Sequence, residues 1–428
     1  MKVVFATEYF HPWVPGGSPW SIRLLARELR RHGVDVVIVT PNYGGAPARE
    51  EIDGVPVRRF PVRRRLPPGP SLAPVRDHVN PLFHLRFARA VVSAARELGA
   101  DVLHAQEKHA LVGTFLAGRW LRRPVFVTLR DFGLICPITT CLLSHTHVPA
   151  DCSATKLQRE CAPFFLDHYV PGGSLRRLRV RLSLALLYLD ARLKGALLRR
   201  VDGVTGVSAA ILDIFERAGR IPAGRGHVVY NLPPSSPEGV PIDRSRRLAE
   251  FGLPDRPTIL FVGKASLGKG FPVFVEAARL VAARVPEASF VAVGERVSSG
   301  PAESAPVRAL GRRSHADVEA LYSLAHMVVH PAVWPEPFSR VPLEAASFAR
   351  PVVGTRIGGT PEAIEDEVTG LLVERNDPAA LARAIEGLLA DPTRRERMGR
   401  EAAVTVARKF SAERVVDQLL AAYRTAAR

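Results

Sequence analysis

No uninterrupted apolar run in these 428 residues approaches the ~18 that a membrane-spanning helix needs, so none is expected. The opening "MKVVFATE" has too short an apolar stretch for a secretory signal and meets Glu8 early. Cysteine is sparse, at four. Together these predict a cytoplasmic location. Aromatic residues make up 7%, without the interleaving of aromatic and basic side chains that stacks nucleic-acid bases. No nucleic-acid partner is therefore expected, despite a net charge of +17. No G-x-G-x-x-G follows the first strand-like run, so the dinucleotide fingerprint is missing. Lysine is also scarce, at seven of the 59 basic residues. The arginine surplus favours anionic partners in general and names none. The scarcity gives weight to Lys264 and Lys269, which share one glycine-rich turn.

With 47% hydrophobic and 24% charged residues, the chain has an ordinary globular composition, and its length predicts two domains. Val3–Ala6 reads as a buried strand, "HPWVPGGSP" as a turn, and "WSIRLLARELRRHG" as an amphipathic helix closed by Gly33. A second strand, 34–40, completes a βαβ unit. Strand-like runs recur at 101–105, 124–129 and 201–208. The stretch "NLPPSSPEGVPIDRSRR" lacks periodicity and reads as a linker. After it the rhythm restarts, with strands at 257–263, 288–294, "HMVVHP", "RPVVGT" and 370–373. Continuous apolar strands imply parallel sheets buried on both faces. The expected fold class is α/β. It has an N-terminal domain over 1–235, a C-terminal domain over 236–408, and a helix within 409–428 packing back on the first domain. Loops after Ala6, Ala105, Leu129, Gly263 and His330 should then line one cleft.

"FVGKASLGKGF" places Gly263 directly after a strand and brackets Lys269 with Gly268 and Gly270. Small residues let backbone N–H groups approach an anion, and two ammonium groups neutralise it. The alternative is two solvated lysines in a surface turn. It is not a Walker loop, because Gly270 stands where Ser or Thr is required. Further on, "PEPFSRVPLEAA" carries Glu336 and Glu344. Pro342 fits the first turn of a helix starting near Ser339–Val341. Glu336 then sits before the free N–H groups of Phe338, Ser339, Arg340 and Val341, and Glu344 about a turn inside. Two carboxylates so placed suit hydroxyl pairs of a ribose or hexose. Read alone, they are equally a solvated loop acid and a salt-bridged helix acid.

Residues 336–373, "EPFSRVPLEAASFARPVVGTRIGGTPEAIEDEVTGLLV", resemble the E-x7-E segment of the family 4 retaining glycosyltransferases. "FVGKASLGKGF" is similar to that family's phosphate loop, with Lys264 in the place of an arginine. "GGSPWSIRLLARELRRHGVDVVIVT", "PVFVTLRDFGLICP" and "VDGVTGVSAAILDIF" extend the resemblance over nearly the whole chain. It implies a GT-B fold, two Rossmann-like domains facing a cleft, and a nucleoside-diphosphate-sugar donor. Glu336 would meet the donor sugar and Glu344 the ribose. Lys264 and Lys269 would stabilise the leaving diphosphate. Gly16, Gly17 and Gly263 would admit it, and Phe338, Ser339 and Arg340 would line the donor. No cofactor or divalent metal is expected, because cations of the protein do that work. His104, Arg130 and Asp131 fall on the acceptor side. The family's usual second histidine is replaced here by Gln106, and Arg130 stands where many members have histidine. That arginine suggests a carbohydrate or lipid-linked acceptor bearing phosphate or carboxylate.

The implied activity is transfer of a hexose-type sugar with retention, in polysaccharide or glycoconjugate synthesis. The alternatives fit less well: a GT-B phosphorylase needs a pyridoxal lysine environment that this sequence does not show, a nucleotide-sugar epimerase usually has another acidic pattern, and the aromatic stripe of a basic non-enzymatic binding protein is missing. Two features remain open. Cys136, Cys141, Cys152 and Cys161, with His145 and His147, cluster without any C-x2-C pair, so a metal there stays unknown. "SLRRLRVRLSLALLYLDARLKGALLRR" (174–200) either contacts an anionic membrane, at the inner face, or packs on the sheet with its arginines in water; packing is the reading preferred. "RRFPVRRR" (58–65) adds positive charge.

Overall fold

The computed structural model describes residues 1–139, 152–170, 172–234, 243–295 and 306–425. The chain forms two compact units. Met1–Leu232 with Ala412–Arg428 make the first, and Pro233–Ser411 the second.

The first unit is built on an eight-stranded sheet. Its strands are β1 (Lys2–Ala6), β2 (Asp35–Asn42), β3 (Arg49–Ile52), β4 (Val55–Pro61), β5 (Val102–Ala105), β6 (Val125–Leu129), β7 (Gly203–Gly206) and β8 (Gly226–Val228), in the order β3-β4-β2-β1-β5-β6-β7-β8. All pairs are parallel except β3 with β4. β1 and β6 are fully or nearly fully buried, as strands covered on both faces must be. The β3–β4 hairpin was not expected. β3 alternates exposed and half-buried positions and β4 mostly buried and half-buried ones; β4 carries the first half of "RRFPVRRR", where Arg58 pairs with Glu97 and buried Arg59 with Glu50.

The helix Ala412–Thr425 belongs to this first unit. Val415, Val416, Leu419, Ala422 and Tyr423 enter the same core as Val3, Phe5, Val36 and Ile22. Their spacing of three and four along one helix face explains why this segment adheres.

The second unit holds β9 (Thr258–Val262), β10 (Ser289–Val293), β11 (Val307–Ala309), β12 (Met327–His330), β13 (Val352–Thr355) and β14 (Gly370–Val373), ordered β11-β10-β9-β12-β13-β14 and all parallel. Separate apolar clusters cover its two faces, one around Phe274, Ile385 and Met398, the other around Leu248, Leu321 and Ile364.

The helix Ser174–Ala196 departs from the preferred expectation. Only Leu184, Ala191, Lys194 and Gly195 are buried. Leu175, Leu178, Leu182, Leu186, Leu189 and Leu193 form a stripe at spacings of three and four, each 52–72% exposed. The apolar stripe does not pack on the sheet. Among the described residues no helix is long and apolar enough to cross a membrane.

Candidate active site

In the second unit, β9 and β12 are neighbours whose connections run to opposite sides, β9 to β10 and β12 to β13. Such a reversal opens a crevice at the carboxyl ends of the two strands. The loops after β9 and β12 occupy it, and they carry both lysines and Glu336.

These loops are tied to each other. The Gly268 carbonyl accepts from Val333 N–H at 2.9 Å. Gly270 has φ +70°, and a Cβ there would lie 1.7 Å from the Pro331 carbonyl oxygen. Glycine at 270 is thus a packing requirement of the fold, not an opening left for an anion. Lys269 Nζ lies 2.7 Å from Glu336 Oε2 and 5.6 Å from the Trp334 ring centre. Lys264 lies 3.7 Å from Glu295, in a pair more than 40% exposed on both sides.

Ser339 caps the helix Arg340–Ser347 by accepting from Val341 N–H. Phe338 is buried, with its ring 5.5 Å from that of Phe410. The Glu336 carbonyl accepts from Gly359 N–H at 2.8 Å, and Gly358 lies so close to it that a Cβ would come within 2.3 Å of that oxygen. Glu336 therefore has a fixed backbone and a side chain held by one lysine.

Glu344 is locked differently. Its Oε2 accepts from the Tyr322 hydroxyl at 2.8 Å, and its Oε1 from Arg340 Nε and Nη2, each at 3.0 Å. Arg340 Nη1 is buried at the start of the same helix with no partner among the described residues. An orphaned guanidinium donor beside a helix N-terminus is a physical demand for an acceptor. His330, at the end of β12, was not anticipated. It is buried, its Nε2 is likewise unpartnered, and burial lowers its pKa to about 4, so it is neutral.

The first unit has its own reversal, between β1 and β5. Gly16 and Gly17 stand in the loop after β1, and neither has a positive φ. A Cβ on Gly16 would meet nothing within 4 Å. Among the described residues, neither a close contact nor a positive φ requires glycine at 16.

His104, expected on the acceptor side, lies within β5. It is wholly buried, with Nδ1 2.6 Å from the Tyr423 hydroxyl and Nε2 2.8 Å from Thr128 Oγ1. Burial lowers its pKa to about 3. It ties β5 to the last helix. Arg130 donates to the Gln106 carbonyl and side chain and to Asn231, at 2.8–3.1 Å. Three of its five donors are thereby committed, and burial lowers its pKa to about 10. Asp131 accepts from Gly133 N–H and pairs with Lys108 at 3.4 Å.

A buried acidic group was missed. Glu8 and Glu107 follow β1 and β5 by two residues. The Glu107 carboxylate accepts from Thr7 Oγ1 and from Glu8 N–H, both at 3.3 Å. Burial raises the Glu107 pKa to about 7, and burial followed by Glu107 raises that of Glu8 well above its usual range. Glu8 also meets His78 Nε2 at 3.2 Å and His109 Nε2 at 3.7 Å, and both imidazoles are held neutral by burial. These three could hold a cation, since their ligating atoms lie within 4.8 Å of one another. His78 Nε2 also meets the Tyr43 hydroxyl at 3.2 Å, while His109 Nδ1 is buried with no partner among the described residues. The signal in the sequence was position: an acid just past each of two strand ends. Of the cysteine cluster, Cys141, His145 and His147 lie outside the described residues. Cys136 and Cys161 pack on the cluster of Leu157, Ala162 and Leu184.

Two doubly wound parallel units, each with a topological reversal, define the GT-B class, and known proteins agree. Residues 243–405 match the family model described as glycosyl transferases group 1, and residues 16–232 the glycosyl transferase 4-like domain. The chain belongs to this glycosyltransferase family. It is 32% identical over 242 residues to alpha-D-kanosaminyltransferase of Streptomyces kanamyceticus, covering 53% of this chain and 61% of that protein. It is 34% identical over 212 residues to D-inositol 3-phosphate glycosyltransferase of Segniliparus rotundus, covering 46% and 47%. The matches thus span less than two thirds of these relatives' own length. Among solved structures, sucrose-phosphate synthase from Thermosynechococcus elongatus shares the fold at TM-score 0.69 and 21% identity, over 99% of this chain and 98% of that one. Anabaena Alr3699/HepE in complex with UDP-glucose does so at 0.66 and 21%, over 98% of each.

Proposed function

We propose that the protein is a retaining glycosyltransferase that moves a hexose-type sugar from a nucleoside-diphosphate sugar to a carbohydrate or lipid-linked acceptor, in polysaccharide or glycoconjugate synthesis. The observation that carries this reading is the constellation at the β9/β12 reversal: Lys269 against Glu336, and an unpartnered Arg340 donor at a helix start. Lys269 and Glu336 each hold the place of a ligand group. A donor diphosphate draws Lys269 away with Lys264, and the hydroxyls of the donor sugar take over Glu336. The two ammonium groups then stabilise charge on the leaving diphosphate, so no divalent metal or other cofactor is needed. Arg340 Nη1, with the N–H groups around Phe338 and Ser339, adds donors. Glu344 keeps lone pairs free beyond those used by Tyr322 and Arg340, and these accept the ribose hydroxyls.

Gly263, directly after β9, belongs to the same donor loop, and Gly16 and Gly17 are assigned to the donor by the family resemblance alone. The acceptor belongs to the first unit, beside Asp131 and the Glu8–Glu107 pair. A leaving diphosphate oxygen on the face where the acceptor attacks takes the acceptor's proton, and configuration is retained. The leucine stripe of Ser174–Ala196, with exposed Arg176, Arg179 and Arg192 beside it, supports seating on an anionic membrane at its inner face. The test is a thermal-shift screen of nucleoside diphosphates. A ligand at ~100 times its Kd stabilises by about 2.7 kcal/mol. If neither UDP, GDP nor any other nucleoside diphosphate moves the melting curve, the reading fails. With a donor in hand, the anomeric proton of the product, read by NMR, decides between retention and inversion.

A further inference from the structure

The first unit contains a cavity of about 630 Å³ that the donor chemistry does not use. It lies past the ends of β2 and β4, between Tyr43, the run Val62–Arg65, and the start of the helix Pro81–Leu98. Four arginines line it: Arg63, Arg64, Arg65 and Arg86. One acid, Asp77, lines it too, and Arg64 Nε holds that carboxylate at 2.8 Å. Arg63, Arg65 and Arg86 are exposed and have no ion pair among the described residues, so three charges line one cavity without a paired acid. An 18-residue helix begins in the wall, at Asn80 and Leu82, and its positive end adds to the field. The remaining lining, Val62, Leu82 and Phe83, is apolar. Another wall residue, His78, bonds to Glu8 in the loop after β1, so the cavity adjoins the β1/β5 reversal.

We propose that this cavity binds a phosphoryl group of the acceptor, with Arg63, Arg65 and Arg86 as its counter-charges. Calling the ligand an acceptor rests on the glycosyltransferase reading; the phosphoryl site does not. Arg130, the residue first expected to select an anionic acceptor, has most of its donors spent on Gln106 and Asn231. Among the described residues the three cavity arginines make no side-chain hydrogen bond or ion pair. Arginine forks match phosphate oxygens, and the apolar wall accommodates what the phosphate carries.

The experiment titrates the full chain by calorimetry with inorganic phosphate, glucose 1-phosphate and dihexanoyl phosphatidate. Three proteins are compared: wild type, R63E/R86E, and K264A/K269A, which disables the lysines of the second unit. Binding of at least one probe should survive in K264A/K269A and weaken by about tenfold or more in R63E/R86E. R63K/R86K, which keeps the charge but loses the fork, should bind more weakly than wild type and more tightly than R63E/R86E, which separates charge from fold. Stabilisation by nucleoside diphosphates should persist in R63E/R86E, so a failed cavity and a failed donor site give different results. Phosphatidate binding about tenfold more tightly than glucose 1-phosphate identifies a lipid-borne phosphate, and the reverse order a soluble sugar phosphate. If no probe binds the wild type, if R63E/R86E binds all three unchanged, or if K264A/K269A abolishes binding, the proposal is overturned.

Discussion

The two glutamates of "PEPFSRVPLEAA" should fail in different ways when removed. Glu344 and Arg340 are each close to nine-tenths buried, with side-chain exposures of 11% and 10%. Glu344→Ala leaves that guanidinium without its counter-charge, a change that costs about 3–5 kcal/mol. The Tyr322 hydroxyl also loses its acceptor, worth about 1–3 kcal/mol by itself, although the two costs overlap. Glu336 has one partner, Lys269, whose side chain is 30% exposed and can turn to water. Glu336→Ala should therefore cost about 1 kcal/mol. For a unit the size of the second, each kcal/mol moves the melting temperature by about 2–4 °C, so Glu344→Ala should fall by roughly 6–20 °C and Glu336→Ala by under about 4 °C.

Differential scanning calorimetry of the full chain reads both shifts directly. Activity should rank them the other way: Glu336→Ala keeps nucleotide stabilisation and loses turnover. Glu344→Gln also removes the counter-charge but keeps an acceptor oxygen for Arg340 or Tyr322, so it should melt between wild type and Glu344→Ala, and loss of nucleotide binding beyond that melting loss reads the ribose contact. If Glu344→Ala melts within about 2 °C of Glu336→Ala, the buried pair does not carry the weight assigned to it. Identical binding and turnover defects in Glu336→Ala and Glu344→Gln would merge the two roles into one.

Gly270→Ala places a methyl 1.7 Å from the Pro331 carbonyl in a left-handed backbone, so it should destabilise the second unit by more than about 3 kcal/mol and lower soluble yield; a normal melt would contradict the loop geometry. Glu107 has a folded pKa near 7, raised by burial, so its contribution to stability is complete below the ordinary carboxylate range and is lost as pH rises through 7. Denaturant midpoints of Glu107→Gln should accordingly fall less than wild type between pH 5 and 8, and an identical slope would refute the assignment. His104, with its pKa lowered to about 3, acts with the opposite sign: its contribution is present above the ordinary imidazole value and fades as pH falls toward 3. His104→Gln should flatten that acid limb. Changing Leu182, Leu186 and Leu189 to serine should leave melting unchanged, since all three are exposed, and should abolish co-sedimentation with anionic vesicles. Equal binding by both proteins would remove the leucine stripe from membrane contact.

Sequence periodicity located the elements that matter most, because they are local. β9 and β12 end within a residue or so of where apolar runs end, and the helix with Glu344 begins where Ser339 can cap it. The β3–β4 hairpin stayed hidden because its strands are half exposed and rich in charge, so they carry no continuous apolar run. Partnerships were legible only when neighbours in sequence made them. Arg340 and Glu344 are one helical turn apart, whereas Lys269 and Glu336 meet across 67 residues and His104 and Tyr423 across 319. This explains the uneven fate of the expected site. His104 was placed by its strand alone, and a strand reveals depth but not what covers it; the covering helix arrives from the far end of the chain. Glu8 and Glu107 show the converse. Each stands alone in its own loop, and only sheet order, which sets β1 beside β5, brings them into one pair. The same order sets β9 beside β12 and brings Lys269 to Glu336. In both units, then, the chemistry depends on which strands become neighbours. The local pattern names the candidate residues, and strand order decides which of them meet.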